Sequence, residues 1–202
     1  MTDKVGKMIL GYTDPFRLKT KLHIGCMNHY KPGWINIDNN SYDNCKKLDM
    51  CCDVLRGIPI ESDTVAFIYH EHLLEHFTPE QSRAFLSECM RVLKPGGVMR
   101  IAVPDVMEII RMCTNPDVFA EFKWIRDKYK YGDLTPIGAL NANFRWWGHQ
   151  WLYDWEELLR RFSEIGIDES KITRCEFGKS TYPDLVGIDT REGESIIAEV
   201  VK

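Results

Sequence analysis

The sequence predicts an α/β fold whose strands run mostly parallel. Three observations carry this reading. Four short apolar segments, the last ending at Tyr69, each give way to a polar or acidic residue. A helix with clear start and stop signals lies between two strand-like runs, and two more strand-like runs close the chain. At 202 residues and 44% hydrophobic, the chain has enough apolar surface for one core and is short for two. Residues 1–202 are therefore read as one domain, with 1–20 as an N-terminal extension.

The first segment, Leu22 to Cys26, ends in glycine and turn formers, and the second, Trp34 to Ile37, stops at Asp38-Asn39-Asn40. A third covers Lys47 to Cys52 and closes on Asp53, and the fourth, Val65 to Tyr69, is all apolar, as a strand buried on both faces would be. From Thr78 to Leu93 the helix signals agree. Thr78 caps, Pro79 suits the first turn and Gln81 completes a capping box. Phe85, Leu86, Cys89, Met90 and Leu93 then recur at helical spacing. Lys94-Pro95-Gly96-Gly97 ends this helix and leads into a strand from Val98 to Val103. Strand, helix, glycine turn and strand make a right-handed crossover, which requires parallel pairing. After a looser stretch rich in aromatics, Asp154 caps a second helix with Leu158, Leu159, Phe162 and Ile165 on one face. The strands Ile172 to Phe177 and Ile196 to Val201 follow.

Composition narrows the function. With 26 Lys and Arg against 30 Asp and Glu, the net charge is −4, so there is no basic field to hold a nucleic-acid backbone and a small or neutral substrate is expected. The N-terminus has only a four-residue apolar run, and no stretch is long enough to span a bilayer, so a cytoplasmic protein is expected. The seven cysteines include no CxxC pair and are read as reduced thiols. No metal site is expected from them.

The order LHIGC, PGWINID, HLLEHF, RVLKPGG, VMRIAVPD and a closing strand pair resembles class I S-adenosylmethionine-dependent methyltransferases, most closely the small bacterial-type, methyltransferase type 11-like branch. The resemblance spans roughly residues 21–202, and LLEHF with RVLKPGG is its most specific part. It implies a Rossmann-like, mostly parallel seven-stranded sheet with helices on both faces and a C-terminal antiparallel strand pair. It also implies S-adenosylmethionine as cofactor, bound beyond the carboxyl ends of the strands.

On that resemblance, Gly25 and Cys26 form the cofactor loop, where a glycine lets the methionine part of the cofactor approach the backbone. Asp38 accepts from the ribose hydroxyls. Asp53 accepts from the adenine amine, with Val54 against the ring. Glu71 and His72, after the fourth strand, form the wall near the sulfonium and the methyl to be transferred. Glu75 and His76 are expected only to close the start of the next helix. Met27 stands where the family loop has a second glycine, and the link from Met27 to Gly33 is seven residues, too short for an ordinary crossover. Either the first helix is reduced to a turn or the strand boundaries shift.

Residues 105–153 are expected to form the lid and acceptor segment. Its aromatics, Phe144, Trp146, Trp147, Trp151 and Tyr153, either wall the acceptor pocket or fill a gap between lid and sheet. His149 is either the general base for an acceptor hydroxyl or a structural histidine bonded to the lid backbone. The expected activity is methyl transfer to a hydroxyl of a small molecule or glycan. Two other readings stay open: a non-catalytic binding module on the same fold, and a zinc hydrolase using the HxxEH spelling of His72, Glu75 and His76.

Overall fold

A computed structural model describes residues 21–39, 47–121, 127 and 134–202. The 1–20 extension lies outside the described residues. Among the described residues, seven strands form one sheet: β1 (Lys21–Ile24), β2 (Ile35–Asp38), β3 (Met50–Cys51), β4 (Val65–Glu71), β5 (Leu93–Pro104), β6 (Ile172–Cys175) and β7 (Ser195–Val201). Their spatial order is β3-β2-β1-β4-β5-β7-β6. Pairing is parallel from β3 through β5, while β7 runs antiparallel to both β5 and β6. The chain leaves β1 toward one edge and returns at β4 to build the other, so the carboxyl ends of β1 and β4 flank the switch point where ligands of open α/β sheets bind.

Side-chain alternation gives the two faces different chemistry. Leu22, Ile24, Ile35, Ile37, Ile68, Met99, Ile101, Ala198 and Val200 belong to the large apolar core, together with Phe85, Leu86 and Cys89 of α1 (Pro79–Val92) and Leu158 and Phe162 of α5 (Trp155–Ser163). The capping box at the start of α1 is formed as its sequence predicts, with Thr78 and Gln81 bonded reciprocally. Asp154 likewise caps α5 by accepting from the Glu157 amide at 2.7 Å. The opposite face carries buried polar groups, His23, Asn36, Arg100 and Glu199. It is covered, among the described residues, by Trp34, Leu185 and Ile188.

The β1–β2 link settles the boundary question raised by its length. It contains turns and no helix, and Asn36 organises it. The Asn36 side chain accepts from the Lys31 amide at 2.8 Å and donates to the carbonyls of Lys31 and Trp34, both at 3.0 Å. β5 begins earlier than the expected Val98. Its first residues bulge out of register with β4 and pair with the chain terminus through the Lys202 amide and the Gly97 carbonyl, 3.0 Å apart. A Cβ on Gly97 would lie 2.9 Å from the Lys94 carbonyl oxygen and 3.0 Å from that of Val65, so only glycine fits there.

Arg100 is fully buried at the centre of the polar face. Its guanidinium bonds Asp189 through two nitrogens at 2.8 and 2.5 Å and Glu199 at 2.5 Å, and it also donates to the carbonyls of Lys179 and Glu176. One cation thus ties the loop between β6 and β7 to the sheet. Removing it leaves two buried carboxylates unpaired, so Arg100→Met is expected to lose about 3–5 kcal/mol of stability in urea denaturation.

His70, fully buried against Phe85 with neither ring nitrogen hydrogen-bonded, has its pKa lowered by burial to about 3. In the unfolded chain it titrates near 6.5. The unfolded state therefore binds the extra proton between those values, and stability is lost as pH falls from about 6.5 toward 3. In melting curves across this range, His70→Leu is expected to flatten that part of the acid loss.

Candidate active site

A cavity of about 370 Å³ opens at the switch point. Its walls come from the β1 loop (Gly25, Met27, Lys31), the end of β4 and the turn after it (Glu71, His72, Glu75, His76), the lid (Ile109, Met112, Asn143, Trp147, His149) and the segment before β7 (Thr190, Arg191, Glu194). The lid comprises α2 (Val106–Thr114), α3 (Pro116–Glu121) and α4 (Pro136–Arg145), joined by a small core of Ile109, Met112, Cys113, Phe119, Ala139 and Ala142.

The loop after β1 keeps a glycine-like path at both of its key positions. Gly25 has φ 71°, and a Cβ there would press on the Leu73 side chain at 3.2 Å. Met27, in place of the second glycine, still adopts φ 40° and donates its amide to Asp38 Oδ2 at 2.9 Å. Its half-exposed side chain lines the cavity. The methionine therefore changes the lining of the pocket without changing the course of the backbone.

The sequence-derived residues divide into two groups. Gly25, Glu71, His72 and His149 meet at the cavity, whereas Cys26, Asp38, Asp53 and Val54 do not line it. Cys26 is wholly buried, its amide donates to Ile37 and its carbonyl accepts from His29, so it shapes the loop and does not face a ligand there. Val54 packs in the main core. Asp38 ends β2 and Asp53 caps the following 3-10 turn through the Leu55 amide at 3.1 Å. Both stand beyond the carboxyl ends of β2 and β3, on the side of the switch point away from β4.

Glu71 is clasped by Thr190, whose amide donates to Oε1 at 2.8 Å and whose hydroxyl donates to Oε2. His72 sits at φ 49° with Nε2 2.9 Å from the Ser195 hydroxyl. His149 Nδ1 lies 2.6 Å from the Asn143 carbonyl oxygen. A carbonyl can only accept, so Nδ1 carries the proton and Nε2 keeps its lone pair. Burial lowers the pKa of His149 and lowers that of His76 to about 4, leaving both rings neutral at pH 7.

Glu75 and His76 do more than close a helix. His72 and His76 do not share a regular helix, because His72 occupies a turn and Leu74–His76 form a single 3-10 turn. The helical geometry that HxxEH zinc chemistry requires is therefore missing. Instead, the Glu75 carbonyl accepts from the amides of Gln150 (2.8 Å) and Trp151 (3.1 Å), and the Gln150 side chain donates to the His76 carbonyl at 2.8 Å. This ladder brings His149 against His76, ring centres 5.1 Å apart. The Glu75 carboxyl is fully buried, and burial pushes its pKa up to about 8. No local sequence signal announced this meeting, which depends on the lid folding back.

The lid aromatics do not fill a gap between lid and sheet. Phe144, Trp146, Trp147 and Trp151 are each more than a third exposed, and of these only Trp147 lines the cavity. Tyr153 is the exception in burial, anchoring the lid's return by its hydroxyl 2.9 Å from that of Ser82. Lys31 and Arg191 are cavity residues that the sequence reading left out.

Residues 29–101 match the family model described as a methyltransferase domain. Among solved structures, the chain is similar to a S-adenosylmethionine-dependent methyltransferase of Archaeoglobus fulgidus, at 14% identity and TM-score 0.52 over 92% of this chain and 88% of that one. It is also similar to a Thermotoga maritima protein described as a possible histamine N-methyltransferase, at 13% identity and TM-score 0.54 over 90% and 81%. The YcgJ protein of Bacillus subtilis shares the architecture at 11% identity and TM-score 0.50 over 92% and 93%. No curated protein matches the chain. Likeness at these identities concerns the fold, which the chain shares with S-adenosylmethionine-dependent methyltransferases, and the matched segment, residues 29–101, is similar to the methyltransferase domain family over about a third of the chain.

The left-handed backbone at Met27 costs a side-chain-bearing residue about 1 kcal/mol. Met27→Gly is accordingly expected to raise stability by up to about that amount and to keep binding of S-adenosylhomocysteine, read by thermal melts with and without that ligand.

Proposed function

We propose that the chain is a class I S-adenosylmethionine-dependent methyltransferase acting on a hydroxyl of a small molecule or glycan, with the reacting atoms meeting in the cavity between Gly25 and His149. The observation that carries this reading is the placement of His149. A neutral imidazole, fixed through Nδ1 on the Asn143 carbonyl, keeps its Nε2 lone pair in a cavity whose opposite wall is the glycine loop.

The cavity suits the cofactor's methionine end. Gly25 leaves the backbone bare where a side chain would fill the loop, and Glu71 supplies a carboxylate at the neighbouring strand end. Asp38 and Asp53 extend the same edge toward β3 and would hold the ribose and the adenine amine. When bound, S-adenosylmethionine supplies a methyl carbon that bonds to the acceptor oxygen as its bond to sulfur breaks, the electron pair staying on sulfur. The residues of this chain align the acceptor, and its hydroxyl proton passes to the lone pair of His149 Nε2. Trp147 provides an apolar wall for the acceptor, His149 acts on its oxygen, and His72, held by Ser195, borders the space between them. The net charge of −4 and the absence of a basic field favour such an acceptor over nucleic acid. Among the described residues no helix is long and apolar enough to cross a membrane, in keeping with a cytoplasmic site of action.

His149→Ala is expected to lower turnover about 100-fold or more while changing the affinity for S-adenosylhomocysteine little. Single-turnover methylation across a panel of hydroxyl acceptors, paired with calorimetric titration of S-adenosylhomocysteine, reads both. Unchanged turnover would remove His149 from the reaction, and a wild-type chain that does not bind S-adenosylhomocysteine would instead favour a non-catalytic module.

A further inference from the structure

Among the described residues lining the cavity, Glu75 is an ionisable group left without hydrogen bonds. It is fully buried, neither carboxylate oxygen has a hydrogen-bond partner, and Arg191, the nearby cation lining the same cavity, is paired with Glu194 at 3.6 Å. Burying a carboxylate without compensation is costly, and such groups persist where a counter-charge or a metal compensates them. His72 Nδ1 and His76 Nε2 lie 3.7 and 3.9 Å from Oε1, and one ligating atom each from Glu75, His76 and His149 can be chosen so that all three lie within 4.8 Å of one another, a cluster that leaves His72 out.

We propose that Glu75, His76 and His149 form a binding site for a divalent first-row transition ion with zinc-like ligand preference, placed in the acceptor half of the cavity. Two imidazoles and one carboxylate suit such an ion better than magnesium or calcium, which prefer all-oxygen shells. Donors around one such ion stand about 3 to 3.5 Å apart at bond lengths of about 2.0–2.2 Å, so side-chain movements of about 1 Å close the present arrangement on it. The supports of a metal site are already built. The Nδ1–H of His149 donates to the Asn143 carbonyl, which fixes the ring and leaves Nε2 as the ligating atom. The backbone ladder from Gln150 and Trp151 to the Glu75 carbonyl sets the spacing between the two contributing segments.

This site differs from the one HxxEH would build. Glu75 is a ligand and not a water-activating base, His149 takes the place of His72, and His72 is engaged by Ser195. Three protein ligands leave coordination positions open toward the cavity. Resting on the hydroxyl-acceptor reading, the ion's role is that of a Lewis acid. It takes a lone pair of the acceptor oxygen and lowers the pKa of that hydroxyl, and the proton passes to water as the oxygen docks. With the ion bound, His149 Nε2 is a ligand, and the ion replaces it as the group that promotes loss of the hydroxyl proton.

The test is titration of the chelator-treated full chain with cobalt(II), a chromophoric substitute for zinc, following the visible ligand-field absorption and measuring bound metal after dialysis. One equivalent is expected. Glu75→Gln and His149→Ala should each weaken binding at least about tenfold, whereas His72→Ala should leave it within about twofold. Glu75→Gln is isosteric with a protonated carboxyl and adds no charge, so its metal-free form should melt no lower than the wild type, which separates lost ligation from lost folding. Failure of the wild type to retain cobalt overturns the proposal, as does loss of binding in His72→Ala with retention in His149→Ala. A melting shift with S-adenosylhomocysteine is measured alongside. A shift without cobalt binding defeats the ion and spares the methyl-transfer reading, and cobalt binding without a shift does the reverse.

Discussion

The Arg100 ion-pair network fixes the geometry on which the cavity depends. A fully buried guanidinium is tolerable only when its donors are met, and here they are met by Asp189, Glu199 and the carbonyls of Glu176 and Lys179. Asp189 is next to Thr190, which clasps Glu71, and Arg191 and Glu194 continue along the cavity wall. The polar face of the sheet and the wall of the cavity are therefore mechanically one piece. A charge buried at the sheet centre sets where the last loop lies, and that loop sets where the β4 carboxylate points.

The two faces of the sheet divide the labour. The face against α1 and α5 is apolar and supplies the bulk of hydrophobic stabilisation. The other is threaded by Asn36, Arg100 and Glu199, tied to loop backbone or to another charge, and by His23, tied to the Asn36 side chain, and there specificity of loop placement replaces sheer burial. Asn36 does for the β1–β2 link what a helix does in a longer crossover, bonding the turn that carries the glycine loop back to β2.

Much of the fold was legible because its signals are local. The capping box at Thr78, the helical stripe from Phe85 to Met90, the Asp154 cap and the short apolar strands are written within a few residues of where they act. Gly25, Glu71, His72 and His149 were legible as site residues through the matching motifs, and the structure brings them to one cavity. Other features depend on partners distant in sequence. Arg100 finds Asp189 89 positions away, and Glu75 and His76 meet His149 only once the lid returns across the sheet edge. Cys26 and Val54 are read as cofactor-loop and adenine neighbours, and the structure buries both side chains. Met27 reads as a departure, yet the Asp38 carboxylate holds its amide in the path that a glycine would take.

The proposed reaction sets methyl transfer in the cavity between the glycine loop and His149, and a crystal structure of the chain with S-adenosylhomocysteine tests this most directly. The homocysteine portion is expected along Gly25 to Met27, the ribose at Asp38, and the sulfur facing the space bordered by His72, Trp147 and His149. Ligand bound elsewhere, or a sulfur turned away from His149, would contradict it.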